Sequence, residues 1–231
     1  MNSGPLFAEG IWGSGEDINA LVNKQKAKVL LVSDSHGRYS TFSKIIDSFG
    51  PDCDALICCG DSFADLAHYI EHCLIFPPSD NKLPPVAFFV LGNCDCPSYN
   101  IHDGGEFIHL SAPERLFARI AGKDVFITHG HRFRVDYGVG SLAMAGGAAD
   151  ASLVCYGHTH IPLFEKVSVV SKTDSKEHEV TVVNPGSCAR PRGGSKASVA
   201  VISIGEGIKA DFYSIEENAF GHLTFSPYSV I

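Results

Sequence analysis

The sequence has no excess of positive charge and no long apolar run. Among its 231 residues, 18 Lys and Arg stand against 26 Asp and Glu, a formal net charge of −8. This balance argues against a generally basic surface, so we expect no non-specific binding of nucleic acid or of an anionic membrane. No apolar run approaches the roughly 18 residues that a transmembrane helix needs, so we expect no membrane-spanning segment.

The sequence also lacks any Cys-x-x-Cys pair, although it contains eight cysteines. A structural zinc knuckle is therefore not expected. Several cysteines lie in apolar runs, as Cys58 and Cys59 do, where a thiol behaves as a small hydrophobic group. A chain of this length does not need disulfides, and residues 1–28 contain no basic segment followed by an apolar stretch, as a signal peptide would. We predict a cytoplasmic protein with reduced thiols.

The composition is that of a globular protein, with 45% hydrophobic and 19% charged residues. The length favours one domain, or at most two small ones. Residues 1–27 are rich in Gly, Ser, Asn and Lys and are predicted to form an N-terminal arm. A domain is expected over residues 28–215, followed by a loosely specified tail over residues 216–231.

Five short apolar runs, each of strand length, end in polar residues that can bind a metal. The runs are Val29–Ser33, Ala55–Cys59, Val86–Leu91, Val125–Thr128 and Leu153–Tyr156. Such runs are typical of strands buried on both faces, and helical segments at Thr41–Phe49 and Phe63–Cys73 predict a βαβαβ start. Ligands bind beyond the carboxyl ends of strands in open α/β sheets, so we expect the polar residues to converge there.

The second half of the chain has a different pattern. Ser141–Ala149 is predicted to be a short helix. Four later segments alternate between apolar and polar residues, as hairpin strands do: Leu163–Val170, Glu177–Val183, Ser198–Ile204 and Ile208–Ser214. They suggest a second, more antiparallel sheet packed on the first.

The polar residues at the strand ends offer seven nitrogen and oxygen donors. They are Asp34, His36, Asp61, Asn93, His129, His158 and His160. Seven donors are too many for one tetrahedral zinc ion, but they suit two divalent ions that share a bridging carboxylate. The set contains no thiolate, so manganese, iron or nickel fits as well as zinc.

These motifs together resemble the calcineurin-like metallophosphoesterase signature. They are Asp34-Ser35-His36, Gly60-Asp61, Gly92-Asn93, His129-Gly130-His131 and Gly157-His158-Thr159-His160, with Asn184-Pro185-Gly186-Ser187 downstream. Their spacing is most similar to that of the small single-domain YfcE-like phosphodiesterases, over about residues 28–205. The resemblance implies a four-layer α/β/β/α sandwich, in which two mixed sheets lie between outer helices.

The resemblance also implies roles for the donors. Asp34, His36 and His160 would bind one ion, Asn93, His129 and His158 would bind the other, and Asp61 would bridge them. Manganese is the first expectation, with nickel, iron or zinc as alternatives. A water or hydroxide on the pair would attack phosphorus in a phosphate ester, most readily a diester. Asp61, Asn93 and His131 are the expected catalytic residues.

The chain departs from the wider superfamily at Cys94, where many members have a histidine thought to protonate the leaving group. A thiol is a poor proton donor beside cations, so either His131 serves or the leaving group departs with little help. Free cysteine is usually buried, which favours a packing role for Cys94 over a substrate contact. Further candidate substrate contacts are Arg38, Arg190 and Arg192, because guanidinium groups suit phosphate.

The alternative function is a non-catalytic protein-interaction scaffold of the same fold, as in the retromer subunit. That scaffold has lost part of the donor set, whereas all seven donors are present here. Substrate recognition is expected from the loops Pro77–Pro85, Tyr99–Glu106 and Arg132–Gly140. A homo-oligomer is compatible with the sequence.

Overall fold

The computed structural model describes residues 6–76, 81–170 and 177–230, with only the backbone described for residues 6–8. In chain order the strands are β1 (Leu6–Ala8), β2 (Ile11–Gly13), β3 (Ala27–Val32), β4 (Ala55–Cys58), β5 (Val86–Phe89), β6 (Ser98–His102), β7 (Phe107–Ser111), β8 (Arg115–Ile120), β9 (Lys123–Thr128), β10 (Leu153–Cys155), β11 (Pro162–Val170), β12 (Glu177–Pro185), β13 (Ser198–Ile204), β14 (Ile208–Glu217) and β15 (Leu223–Pro227). The α-helices are α1 (Gly15–Asn23), α2 (Tyr39–Phe49), α3 (Phe63–Ile75) and α4 (Gly140–Gly147). None of these helices is long and apolar enough to cross a membrane.

The larger sheet has the strand order β1-β2-β5-β4-β3-β13-β14-β15. Its centre is the predicted βαβαβ unit, in which β3, β4 and β5 run parallel. Val29 and Leu31 of β3 face the second sheet, whereas Leu30 and Val32 face the helices. Both faces are therefore buried, which explains why these strands appear in the sequence as continuous apolar runs.

Helices α2 and α3 cover the outer face of the larger sheet. In α2 the apolar residues Phe42, Ile45, Ile46 and Phe49 recur at helical spacing and pack into this layer. Their burial holds α2 against the outer face of the larger sheet, so the loops that follow its strands project from a rigid base.

The smaller sheet has the order β11-β12-β10-β9-β8, and α4 covers its outer face. Strands β9, β10 and β12 are parallel, with β8 and β11 antiparallel at the two edges. Ile57 of the larger sheet and Ile127 of the smaller one lie in the same buried layer. The structure is thus the predicted α/β/β/α sandwich, which is confirmed.

The later strands are distributed differently from the prediction. Strands β11 and β12 join the smaller sheet, but β13 pairs antiparallel with β3 and returns the chain to the larger sheet. The expectation that all four would form a separate antiparallel sheet was wrong. Local alternation specifies a hairpin, but not the sheet to which that hairpin is added, because sheet membership depends on pairing between distant residues.

The expected arm and tail both contribute strands. The β1–β2 hairpin pairs with β5, and β15 pairs with β14, so residues on both sides of the predicted 28–215 domain extend the larger sheet. Strands of three residues are too short to produce a period in the sequence, which is why residues 1–27 gave no strand signal.

The expected recognition loop Tyr99–Glu106 is largely the β6–β7 hairpin, which packs on α3 through buried Ile101 and Leu110. Residues 77–80 of the expected loop Pro77–Pro85 lie outside the described residues.

Candidate metal and substrate site

The predicted donors lie on loops with strained backbone geometry at the carboxyl ends of the strands. Five of the seven have a positive φ: Asp34 (58°), His36 (48°), Asp61 (50°), His158 (69°) and His160 (60°). This conformation is uncommon for residues other than glycine, and each instance costs of the order of 1–3 kcal/mol. The surrounding fold sustains this strain, as is typical of sites where side chains must point in a specific direction.

Two glycines let these loops approach one another. A Cβ atom at Gly92 would lie 1.9 Å from the Oδ1 atom of Asp61. At Gly157 it would lie 1.9 Å from Ser33 Oγ and 2.8 Å from Asp34 Oδ2. Neither gap can hold a methyl group, so glycine at both positions is required for the loops to meet.

The first group of donors consists of Asp34, His36 and His160. The Nε2 atom of His160 lies 3.1 Å from Asp34 Oδ1 and 3.1 Å from His36 Nε2. The opposite ring atom, His160 Nδ1, lies 2.5 Å from the carbonyl oxygen of Arg190. Because a carbonyl can only accept, Nδ1 bears the proton and Nε2 presents a lone pair to the group.

The second group consists of Asn93, His129 and His158. His129 Nδ1 donates to the carbonyl of Cys59 over 2.7 Å, so in the neutral ring its Nε2 atom also presents a lone pair. That atom lies 3.2 Å from Asn93 Oδ1, which is in turn 3.0 Å from His158 Nδ1. The other nitrogen of His158 lies 3.5 Å from a carboxylate oxygen of Asp136.

Asp61 lies between the two groups. Its Oδ2 atom is 3.5 Å from His129 Nε2 and 3.8 Å from His36 Nε2. Its Oδ1 atom accepts the backbone N–H of Cys94 over 2.8 Å. One carboxylate thus faces both sets of imidazoles.

The donor set fits a cation. Asp34 Oδ1 is fully buried and has no hydrogen-bond partner among the described residues, although three imidazole Nε2 atoms lie within 3.9 Å of it. A buried acceptor without a donor is costly. In this cluster the lone pairs of carboxylate, amide and imidazole groups face one another. A positive ion between them would remove the repulsion, so the cluster fits a bound cation.

The electrostatics of the site favour anionic carboxylates. Burial opposes ionisation of Asp61, but hydrogen bonding and charge from His129 and the Cys94 N–H hold its pKa well below the usual range. Burial also opposes the charged form of His129, yet Asp61 and Asp34 outweigh it and raise the His129 pKa. Burial lowers the pKa of His36 and His158, which favours the neutral imidazole that binds metals.

The structure reveals supporting residues that the sequence analysis did not predict. The Asp95 carboxylate accepts the backbone N–H groups of Asp61, Gly92 and Phe63, over 2.7, 2.9 and 3.1 Å. Asp95 therefore ties the loops of Asp61 and Asn93 together. In the sequence, only its position two residues after Asn93 could have indicated this supporting role. Ser187 Oγ similarly donates to the carbonyl of Asp34 over 2.7 Å.

A cleft of about 330 Å³ opens beside His36 and Asp61. Arg190, Cys94 and Tyr99 also line it, so two of the four residues predicted to contact substrate lie at this cleft. Cys94 is exposed, and the expectation that it would be buried packing was therefore wrong. The reason is that Cys94 lies in the loop after β5, next to the exposed Asn93, and not in a buried strand.

The other candidate contacts lie elsewhere. Arg192 lines a second cleft of about 340 Å³, together with Asp136 and Thr159. Arg38 does not line either cleft, and its guanidinium lies 3.7 Å from Glu217 on the surface. His131 lies beside the second donor group, with its ring centre 5.5 Å from that of His129. A larger cavity of about 640 Å³, beside Lys26 and Lys28, lies at the opposite end of β3 from the donors.

Comparison with known proteins places the chain in a family. The sequence is 26% identical over 176 residues to the probable metallophosphoesterase YsnB of Bacillus subtilis, which covers 76% of this chain and 83% of that protein. Two solved structures share the fold. Vps29 of Cryptosporidium parvum is 18% identical with a TM-score of 0.56, covering 89% of this chain and all of that one. The phosphoesterase YfcE of E. coli is 19% identical with a TM-score of 0.52, covering 88% and 100%.

The family model for the calcineurin-like phosphoesterase superfamily domain matches residues 28–207, which include all seven donors. The resemblance predicted from the motifs is confirmed, and with it the assignment of the chain as an enzyme of the metallophosphoesterase class. On the strength of this match and of the clustered donors, the chain belongs to the calcineurin-like phosphoesterase superfamily.

Proposed function

We propose that this protein is a phosphodiesterase that works with two divalent ions. Asp34, His36 and His160 would hold one ion, and Asn93, His129 and His158 would hold the other, with Asp61 shared between them. The observation that carries the proposal is the buried Asp34 Oδ1 atom, which has no hydrogen-bond partner in the described chain and faces imidazole lone pairs. Such a cluster is stabilised by positive charge.

When bound, two divalent ions neutralise phosphate charge and lower the pKa of the water molecule that attacks phosphorus. The chain itself orients the reaction. Asp95 fixes the loops of Asp61 and Asn93 through three backbone N–H groups. Arg190 lines the cleft beside Asp61, and its guanidinium is a group that can bind a phosphate oxygen there.

Two clefts support a diester substrate in preference to a monoester. The first is lined by Arg190 and Tyr99, and the second by Arg192 and Tyr156. The second cleft reaches the donor set through Asp136, which lines it and lies 3.5 Å from His158 Nε2. A monoester needs room for one organic group, whereas a diester needs room for two.

We also propose that manganese is the working ion and that the protein acts in the cytoplasm. Three of the seven donors, Asp34, Asp61 and Asn93, offer oxygen atoms of the kind that suits manganese, and the four imidazoles are why nickel, iron and zinc are the alternatives. Each of the eight cysteines is a free thiol in the structure, which is compatible with a reducing compartment.

The alternative is a protein-interaction scaffold, and the Vps29 likeness supports it only at the level of the fold. The complete donor set favours the enzyme. The two can be separated by freeing the purified protein of metal, reloading it with manganese, nickel, iron or zinc, and assaying aryl diesters and monoesters. We expect two ions per chain and faster turnover of diesters. Metal-loaded protein that hydrolyses neither class would support the scaffold.

A further inference from the structure

Cys94 lines the first cleft and also contacts two of the predicted metal donors, Asp61 and Asn93. Its backbone N–H donates to Asp61 Oδ1 over 2.8 Å, and its sulfur accepts the side-chain amide of Asn93 over 3.2 Å. Ligand atoms of His36, Asp61 and Cys94 all lie within 4.8 Å of one another. The sulfur thus completes a three-donor cluster on the side of the site that faces the first cleft.

A second observation points to a cation at the same place. Asp34 Oδ1, fully buried and without a hydrogen-bond partner among the described residues, lies 3.8 Å from His36 Nε2. His36 therefore belongs to two overlapping clusters, one with Asp34 and His160 and one with Asp61 and Cys94. Asp34 Oδ1 receives no hydrogen bond from the described residues, so a cation beside His36 would satisfy it.

We infer that the Cys94 sulfur is a further ligand of the ion held beside His36 and Asp61. This inference rests on the metal-binding part of the proposed function. In a tetrahedral site, ligand atoms about 2.0–2.3 Å from the ion are about 3.3–3.8 Å from one another. The ligand atoms of His36, Asp61 and Cys94 lie within 4.8 Å of one another, so side-chain shifts of up to about one ångström bring them around an ion. As the sulfur–metal bond forms, the thiol proton passes to solvent.

A sulfur ligand changes which ions the site prefers. Thiolates favour zinc and cobalt, whereas manganese is best served by oxygen donors. Cys94 consequently shifts the position beside His36 towards zinc and cobalt, and the manganese preference expected from seven nitrogen and oxygen donors weakens there. Replacing Cys94 by serine should lower zinc affinity at this position by about tenfold or more and leave manganese affinity within about twofold.

The protein contains its own control for this inference. Cys96 is exposed like Cys94 and only two residues away, but it belongs to none of the candidate metal clusters in the described part of the chain. A treatment that acts on any accessible thiol affects both residues, whereas metal ligation affects Cys94 alone.

The first test is the absorption spectrum of the cobalt-loaded protein, in which a cobalt–thiolate bond produces a charge-transfer band in the near ultraviolet. We expect the band in the wild type and in Cys96→Ser, and its loss in Cys94→Ser, with the cobalt content measured in each. The inference is overturned if Cys94→Ser retains the band, if the wild type binds cobalt without it, or if the wild type binds no cobalt.

The second test uses only the wild-type protein. Alkylation of Cys94 and Cys96 by iodoacetamide is followed by mass spectrometry, with and without zinc. Ligation should slow alkylation of Cys94 by about tenfold or more and leave Cys96 unchanged. A nearby cation that does not bind the sulfur would make the thiol ionise more readily and react faster. Faster or unchanged alkylation of Cys94 would therefore contradict ligation.

These readouts are independent of turnover. A cobalt–thiolate band in a protein that hydrolyses no phosphate ester would retain the inference and reject the proposed function. Hydrolysis of diesters by a protein without the band would do the reverse.

Discussion

Asp61 is the residue on which both donor groups depend. Its Oδ2 atom faces His129 and His36, and its Oδ1 atom accepts the N–H of Cys94. A carboxylate between two cations supplies negative charge to both, so its loss leaves the cations to repel each other across a short distance. No other described carboxylate faces imidazoles of both groups so evenly, since Asp34 lies nearer to His160.

We expect Asp61→Asn to lose both ions and nearly all turnover. The amide keeps the shape of the side chain but removes its charge, so metal affinity should fall by more than about 100-fold, the upper end for partners that only support a ligand. Elemental analysis and diester assays provide the measurement. Asp124→Asn, in an exposed pair with Arg119, is the matched control and should behave as the wild type. An active Asp61→Asn protein with two ions would refute the bridge.

The absence of a histidine that protonates the leaving group should affect how the rate of hydrolysis depends on the leaving group of the ester. General acid help is worth about 10²–10⁴-fold and matters most for basic leaving groups. With Cys94 at this position, we expect aryl diesters to be hydrolysed much faster than alkyl diesters, and Cys94→Ser to preserve that difference. His131→Ala should slow both classes equally if departure is unassisted, with His222→Ala as the control. A selective loss of alkyl ester hydrolysis in His131→Ala would instead assign the proton to His131.

For single residues, the sequence motifs predicted the donors because the end of the strand, the turn and the metal-binding side chain lie within a few consecutive residues. The structure brings all seven into one cluster. Asp95 and Asp136 were not predicted, because their contacts join residues that are distant in sequence, as between Asp95 and Phe63. Cys94 was misjudged for another reason. The prediction used the average burial of free cysteines, but Cys94 lies in a loop that lines a cleft.

The loops after the strands form the next scale, and their close approach is what assembles the site. The loop of Gly92 lies directly against Asp61, and the loop of Gly157 lies against Asp34. Each loop is held at the end of a buried parallel strand, so it cannot retreat without disturbing the sheet.

Adding one methyl group should test this packing. In Gly92→Ala the new Cβ would lie 1.9 Å from Asp61 Oδ1, so the Asp61 loop must move. We expect a loss of about 1–3 kcal/mol in the free energy of unfolding, together with weaker metal binding. Gly140→Ala, at the start of α4 with nothing within 4 Å, should change stability by no more than about 0.5 kcal/mol. Thermal melts and metal titrations distinguish the two variants. Normal metal binding by Gly92→Ala would contradict the required contact.

Helices and strands were predictable where their pattern of apolar residues is long and regular. Helices α2 and α3 and strands β3, β4 and β9 lie within a few residues of their predicted positions. Strands β1 and β2, with three residues each, and the pairing of β13 with β3 were not predicted. Strands β1 and β2 are too short to show a repeating pattern of apolar residues. The pairing of β13 with β3 depends on contacts between residues about 170 positions apart.

For the whole molecule, the site lies at one end of two sheets that share a core. Asp34 and Asp61 follow strands of the larger sheet, and His129 and His158 follow strands of the smaller one. An ion held by both sets binds the folded protein and not the unfolded chain, so its binding free energy adds to global stability.

Manganese should therefore raise the melting temperature. At a concentration 100 times the Kd, one site adds about 2.7 kcal/mol, or about 5–11 °C for a chain of this size. Differential scanning calorimetry with and without manganese measures the shift, and a chelator should reverse it. Asp61→Asn should show little or no shift. An equal shift in that variant would place the stabilising ion elsewhere.

The position of β3 has a consequence for how the chain is made. This strand leaves the ribosome about 170 residues before its neighbour β13, and Asp34 accepts hydrogen bonds from the backbone N–H of His158 and from Ser187 Oγ. A nascent chain that ends before about residue 205 has β3 exposed along one side and no bond from Ser198–Ile204 to cover it. Pairings over such distances form slowly, and unpaired strand edges promote aggregation. Strand β13 must therefore be synthesised before β3 has both of its neighbours, and Ser187 before the Asp34 loop has all of its hydrogen bonds.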